Sequence, residues 1–222
     1  MNSGLKARSI SSFTISLGSQ INKDGNGMML AITFLFAAQA VGAPLSTAVL
    51  IRAIILSLIL MIFRRTRRYG TAMLIGLTIG ALITNCCLKI LIARARPYSE
   101  ETAAFFNTDL YQKLWLTVGQ NVESDKSFPS GHTTAAFASM TALFLTGNKK
   151  YSWTAFIFAF LMAVARIYLV VHFASDVVAG IVVGVVAGIL ASLIAKKIPA
   201  GYYNSDWPFR KKEEGGKHVR VG

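Results

Sequence analysis

Residues Val177–Ala195 read VVAGIVVGVVAGILASLIA, a stretch without one charged side chain. A helix needs about 20 mostly apolar residues to cross the hydrocarbon core of a bilayer. This stretch therefore reads as a membrane span, and it has company. Working back toward the N-terminus, Trp153–Val171, Thr133–Thr146, Thr71–Ile92, Leu45–Phe63 and Met28–Pro44 are apolar too. The expected fold is all-α: a polytopic membrane helix bundle of about six transmembrane helices. The first two stretches nearly touch. Gly42-Ala43-Pro44 is the expected break between them, because proline cannot continue a helix; one long helix there would leave five spans. The fourth stretch is short, so its helix is expected to begin in the loop before it.

Composition agrees. The chain has 222 residues, 54% hydrophobic and 15% charged, against about 25% charged in a soluble domain. The net charge of +13 raises nucleic acid as a partner, but the basic residues cluster between apolar stretches, as in Arg64-Arg65-Thr66-Arg67-Arg68. That placement reads as topology and contact with anionic headgroups, and nucleic acid is not expected. Cys86 and Cys87 are adjacent in an apolar stretch, which spacing excludes as a disulfide framework or a zinc site; they read as small packing residues.

Three segments follow. Residues 1–27 form a polar N-terminal segment in which Ile10, Phe13, Leu17 and Ile21 have helical spacing. They read either as an interfacial helix or as a frayed terminus, since Gly18, Asn22 and Gly25 weaken a helix. Residues 28–195 form the six-helix domain, with a long loop over 94–130. Residues 196–222 form a polar tail, expected to be flexible, where Tyr202, Tyr203 and Trp207 can reach the interface. Lysine and arginine favour the cytoplasmic side. Lys6, Arg8 and Lys23, the arginines at 64–68, Lys149-Lys150 and Lys196-Lys197 place both termini in the cytoplasm. Arg94–Phe128 and the short connection His172–Asp176 then face outward.

Polar residues collect at that outer level: Lys89, Arg94, Arg96, Ser130, His132, Arg166, His172 and Asp176. An ionisable group at a span is costly and is a functional hypothesis by default. Lys89 and Arg96 are seven residues apart, about two helical turns, and are expected on one helix face. With Arg166 they offer three cations to a phosphate. Ser130 can cap the helix behind Pro129-Ser130-Gly131-His132, whose first backbone N–H groups favour an anion. Of His132 and His172, one can attack phosphorus and the other can protonate the leaving oxygen. Asp176 can orient the attacking ring. Taken singly each signal is weak, since a lysine or arginine at a helix end usually snorkels, the default reading for Arg52.

Together, Lys89-x6-Arg96-Pro97, Pro129-Ser130-Gly131-His132 and Arg166-x5-His172-x3-Asp176 resemble the three motifs of the type 2 phosphatidic acid phosphatase family, in order and with matching internal spacing. Ala165 stands where that family usually has serine, which removes one possible phosphate hydrogen bond. The resemblance implies that His172 is the nucleophile forming a phosphohistidine, with Asp176 as its partner and His132 as the acid. It implies that Lys89, Arg96, Ser130, Gly131 and Arg166 cradle the phosphate, with no metal and no cofactor. No cluster of carboxylates near these residues suggests a magnesium site.

The expected function is an integral membrane lipid phosphatase acting on a lipid phosphate monoester or diphosphate at the outer leaflet of a bacterial inner membrane. Undecaprenyl diphosphate, phosphatidylglycerol phosphate, phosphatidic acid and the lipid A phosphate all present a phosphate at that depth. The loop Tyr98–Phe128, with Phe105, Phe106, Tyr111 and Trp115, is expected to shape the choice. The alternative is a non-enzymatic transporter or structural protein with a headgroup-binding site. The charge pattern gives a test. A cysteine introduced in the Glu100–Ser127 loop should react with an impermeant thiol reagent added to intact spheroplasts, and one near Tyr69 should not. The reverse labelling would turn the site toward the cytoplasm.

Overall fold

A computed structural model describes residues 46–205. The N-terminal segment, the expected span Met28–Pro44 and the tail beyond Ser205, including Trp207, lie outside the described residues. Every regular element described is helical: α1 Ser46–Ile62, α2 Arg67–Ile92, α3 Glu100–Phe106, α4 Leu110–Thr117, α5 Gly131–Thr146, α6 Lys149–Tyr168, α7 Ala174–Lys197 and α8 Ala200–Asn204. Each expected span within this range appears as a helix with shifted ends. Two of them, α2 and α7, are long and apolar enough to cross a bilayer.

The helix α5 is the centre. It packs on α7, α2 and α6, and its residues from Thr133 to Leu143 are almost all buried. At 16 residues it is shorter than a span needs, because it is wrapped by protein. As expected, it starts ahead of its apolar stretch, at Gly131.

Small residues make the packing close. On α7, Gly180, Gly184 and Gly188 face α5. A Cβ added at Gly184 would lie 2.7 Å from both Thr134 O and Phe137 Cβ, and one at Gly188 would lie 2.8 Å from Ala138 O. From α2, Gly80 meets Thr134 in the same way at 3.0 Å. The opposite side of α7 carries Val178, Val182, Val186, Ile189 and Leu193, all exposed. Small side chains inside and large apolar ones outside is the pattern of helices whose backbones must touch while their outer faces meet lipid.

Two deviations from the expected picture concern the ends of helices. Arg67, read above as topology and headgroup contact, is 1% exposed. Its guanidinium donates to Met61 O at 2.9 Å and Ile62 O at 3.3 Å, carbonyls at the end of α1, and to Tyr202 O at 3.0 Å and Ser205 O at 2.9 Å. The last carbonyls of a helix lack intrahelical partners, so a cation there is well used. The same bonds hold Ala200–Asn204 as a short docked helix in what was expected to be flexible tail. Arg64, Arg65 and Arg68 stay exposed. The second deviation is a π-helical segment, Leu82–Leu88, inside α2. Cys86 and Cys87 are exposed on it, not packed inward. Beyond it Lys89 is buried while Ile90, Leu91 and Ile92 are exposed. Wide turns of this kind re-aim side chains and recur at functional sites.

The contact of α5 with α7 can be tested. Overpacking a well-packed contact costs about 1–3 kcal/mol, and backbone carbonyl Thr134 O cannot rotate away from a new methyl group. Gly184→Ala should lower the melting temperature in detergent, whereas Val186→Ala on the exposed face should leave it nearly unchanged. Equal melting for the two variants would mean the helices are not held this tightly.

Candidate active site

The ends of α2 and α6 and the starts of α5 and α7 converge, and the eight residues singled out from the sequence meet there. Lys89 lies in the last turn of α2. The helix then stops at Ala93, which takes a left-handed φ of 46°. Arg96 is therefore not on the same helix face as Lys89, as the spacing suggested. It arrives through the turn and is held by its own bonds, with Nη1 donating to Val171 O at 2.8 Å and Nε to Asp125 O at 2.9 Å. Ser130 caps α5, its side chain accepting from Thr133 N at 3.5 Å. Its own N–H donates to Asp176 O at 3.0 Å, which ties the start of α5 to the start of α7. A Cβ on Gly131 would sit 3.7 Å from Lys89 Nζ, so the lysine reaches over the first turn of α5. Arg166, in the last turn of α6, is 8% exposed, and its Nε is buried without a hydrogen-bond partner among the described residues.

His172 is reached through a strained turn. Val170 has φ 56°, rare for a β-branched residue, and such strain costs on the order of 1–3 kcal/mol. The turn places His172, 3% exposed, with its two nitrogens in different surroundings. Nε2 faces the cations, 3.4 Å from Arg96 Nη1. Nδ1 lies 3.7 Å from Asp176 Oδ2 and 3.4 Å from Ser127 Oγ. Ser127 Oγ donates to Asp176 Oδ2 at 2.5 Å, so its oxygen is left to accept a proton from Nδ1. That arrangement puts the hydrogen on Nδ1 and a free lone pair on Nε2.

Asp176 is fully buried and well satisfied. It also accepts from Phe173 N at 2.9 Å and from Arg94 Nη1 at 2.7 Å. Arg94 stood outside the motifs; here it is the ion-pair partner that a buried carboxylate requires, and its guanidinium lies 4.8 Å from the centre of the Phe173 ring. Ser127 and Arg94 were not assigned a role from the sequence. A fully buried Asp176 implies some cation, but only the fold says which.

Two carboxylates not assigned to the site from the sequence enter the cluster beside Asp176. Glu123 Oε2 is 2.9 Å from Arg96 Nη2 and 3.8 Å from His172 Nε2. Glu123 Oε1 is 3.4 Å from Arg166 Nη1 and 4.0 Å from His132 Nδ1. Asp125 pairs with both Lys89 and Arg96. Burial works to raise the Asp125 carboxyl, but the hydrogen bonds and charges of Lys89 and Arg96 outweigh it and hold the group below the ordinary aspartate value. The loop carrying these acids is not irregular throughout, since it forms α3 and α4. Phe106 and Tyr111 pack with Phe173, at 6.4 and 5.6 Å between ring centres, and Tyr98 stacks on Trp115 at 4.8 Å. The cluster lines a cavity of about 1170 Å³ whose walls include Lys89, Arg96 and His132 together with the apolar Leu50, Leu77 and Ala135.

The sequence profile of the PAP2 superfamily matches residues 66–199, which include every member of this cluster. The chain belongs to the PAP2 superfamily. A profile of the sodium:dicarboxylate symporter family matches residues 2–81, which include none of them. Among curated proteins, an undecaprenyl-diphosphatase of Sulfolobus acidocaldarius is 31% identical over 122 residues, 54% of this chain and 52% of that protein. The chain thus spans about half the length of that relative. No solved structure matches.

In this PAP2 member the Asp125 pairs have a pH signature. A carboxyl whose folded pKa is depressed adds stability that is present above its unfolded value, about 3.9, and lost as the pH falls through the lower folded value. The melting temperature of the protein should exceed that of Asp125→Asn at neutral pH, and the gap should close on acidification below that value. A gap independent of pH would show that the pairs do not form in solution.

Proposed function

We propose that the protein is a multi-pass lipid phosphatase of a bacterial inner membrane, with both termini cytoplasmic. It hydrolyses a lipid phosphate monoester or diphosphate at the outer leaflet through a phosphohistidine intermediate, without a metal. The observation that carries this reading is the position now held by the Glu123 carboxylate. One anion there faces Arg96, Arg166, His172 Nε2 and His132 Nδ1 together.

A phosphoryl group in that seat meets His172 Nε2 as nucleophile. Its lone pair attacks phosphorus, the bond from phosphorus to the leaving oxygen breaks, and His132 gives that oxygen its proton. Positive charge on the His172 ring is balanced by Asp176, directly and through Ser127. Water then attacks the phosphohistidine and gives its proton to His132, freeing inorganic phosphate and restoring both rings. Lys89, Arg96 and Arg166, with Ser130 and the first N–H groups of α5 at Gly131, hold the phosphoryl oxygens, where fixed donors are worth most. The cations and donors around each carboxylate support a route without a divalent ion. The cavity, lined by both charged and apolar side chains, suits an amphiphile with one charged end. The Sulfolobus relative makes undecaprenyl diphosphate the first substrate to try; phosphatidylglycerol phosphate, phosphatidic acid and lipid A phosphate are the other arms.

The test separates the two histidines. Purified protein in detergent with excess EDTA should release phosphate from at least one of these lipids, and orthovanadate should inhibit. His172→Ala should lose activity by several orders of magnitude on every substrate, by analogy with triad nucleophiles. General acid catalysis supplies roughly 10²–10⁴-fold and matters most for poor leaving groups. His132→Ala should therefore keep measurable activity on p-nitrophenyl phosphate and lose far more on a lipid monophosphate. Aryl activity surviving in His172→Ala but not in His132→Ala would reverse the roles, and strict dependence on magnesium would refute the mechanism.

A further inference from the structure

The site as it stands is already filled. Glu123 contacts two cations and both histidines, and its side chain is 8% exposed. Asp125 covers Lys89 and a second face of the Arg96 guanidinium, and its side chain is 51% exposed. Arg96 Nη2 bonds one oxygen from each acid, so the two carboxylates sit side by side. A phosphoryl group has the same needs as these carboxylates, oxygen acceptors for the same donors. The two cannot occupy the seat together, since like charges at this separation disfavour each other strongly.

The segment that carries the acids is bounded at both ends. It begins at Gly119 and Gln120, both at positive φ, 112° and 52°. It ends at Ser127, whose N–H bonds Arg94 O at 2.9 Å and whose hydroxyl bonds Asp176. Between these anchors the ties run through side chains. Trp115 Nε1 donates to Asn121 O at 2.9 Å, the Tyr98 hydroxyl accepts from Glu123 N at 3.1 Å, and Arg96 Nε donates to Asp125 O. Glu123 and Asp125 add ion pairs to the seat, and those ties are lost when another anion takes the seat.

We propose that Glu123 and Asp125 act as an intramolecular competitor for the phosphate seat, on a segment that swings away when a phosphoryl ligand enters. This rests on the reading of the cation cluster as the phosphate site. The acids then set a charge threshold: a ligand must match two carboxylates to displace them, which favours phosphomonoester dianions and diphosphates over singly charged diesters. While the seat is empty of ligand, the acids also keep the four cations Lys89, Arg94, Arg96 and Arg166 from standing against Asp176 alone.

Apparent affinity falls by the fraction of molecules in the competent state. If the closed form holds nine-tenths or more of the population, removing the competitor should tighten binding about tenfold or more. The probe is orthovanadate, titrated into wild type, Glu123→Gln, Asp125→Asn and the double variant. The Kd should fall about tenfold or more in the double variant, and the KM for p-nitrophenyl phosphate should fall with it while kcat changes much less. Unchanged or weaker vanadate binding in the double variant overturns the proposal. Arg96→Ala distinguishes the levels. If it abolishes vanadate binding while the acid variants change nothing, the phosphate site stands and the competitor falls; if vanadate binds none of these proteins, both fall. A second measurement leaves the acids in place and so does not depend on the acid variants folding. With Cys86 and Cys87 replaced, spin labels at Ser124→Cys and Tyr168→Cys should move apart when orthovanadate is added. A distance that does not change overturns the swinging segment.

Discussion

Backbone contact between α5 and α7 is the constraint on which the rest depends. Gly180, Gly184 and Gly188 leave no room for a side chain against Ser130 O, Thr134 O and Ala138 O. The two helices are thereby locked in register along their length. Their N-terminal ends come together, and the bond from Ser130 N to Asp176 O fixes the cap of one helix against the first turn of the other. The start of α5 capped by Ser130 and the carboxylate behind His172 are thus parts of a single joint. In lipid no hydrophobic drive pushes helices together, so close packing of small residues has to supply the association.

The second organising fact is electrostatic. Several cations gather at one end of the helix bundle, and each must be matched or exposed to water. Asp176 is matched from three directions by Arg94, Ser127 and the N–H of Phe173. Such full satisfaction makes a buried carboxylate a rigid support rather than a liability. It also decides the tautomer of His172 without a direct short bond between ring and acid. The cations facing the seat are matched differently, by acids on a loop. Buried ion pairs are weak evidence for stability but good devices for choosing between states.

How much of this was legible in the residues differs by element. The apolar stretches from Leu45 onward were readable because the bilayer sets one length and one composition, and they appear as helices α1, α2, α5, α6 and α7. Their ends moved by a few residues, since polar turns such as Arg67–Gly70 and Gly131–His132 extend a helix without adding hydropathy. Arg67 is buried on carbonyls rather than in contact with headgroups, a difference hidden from the sequence because a carbonyl-bound arginine and a headgroup-facing one look the same there. Lys89 and Arg96 were correctly paired for the wrong reason: the left-handed turn at Ala93, not a shared helix face, brings them together.

The sequence by itself determined the class and the cast: an all-helical chain of apolar stretches, with two histidines, three cations and one aspartate in three ordered motifs. It could do so because hydropathy and motif spacing are local, written within a few turns of chain. Only the tertiary structure decided who stands next to whom. Glu123 and Asp125 lie more than 25 residues from Lys89 and Arg96 in the chain and show no periodicity or motif that assigns them to the seat. Ser127 and Arg94 become partners of Asp176 because the contact of α5 with α7 and the turn at Ala93 carry them there. Contacts between distant segments depend on how backbones pack in three dimensions, and no local pattern of side chains spells that out.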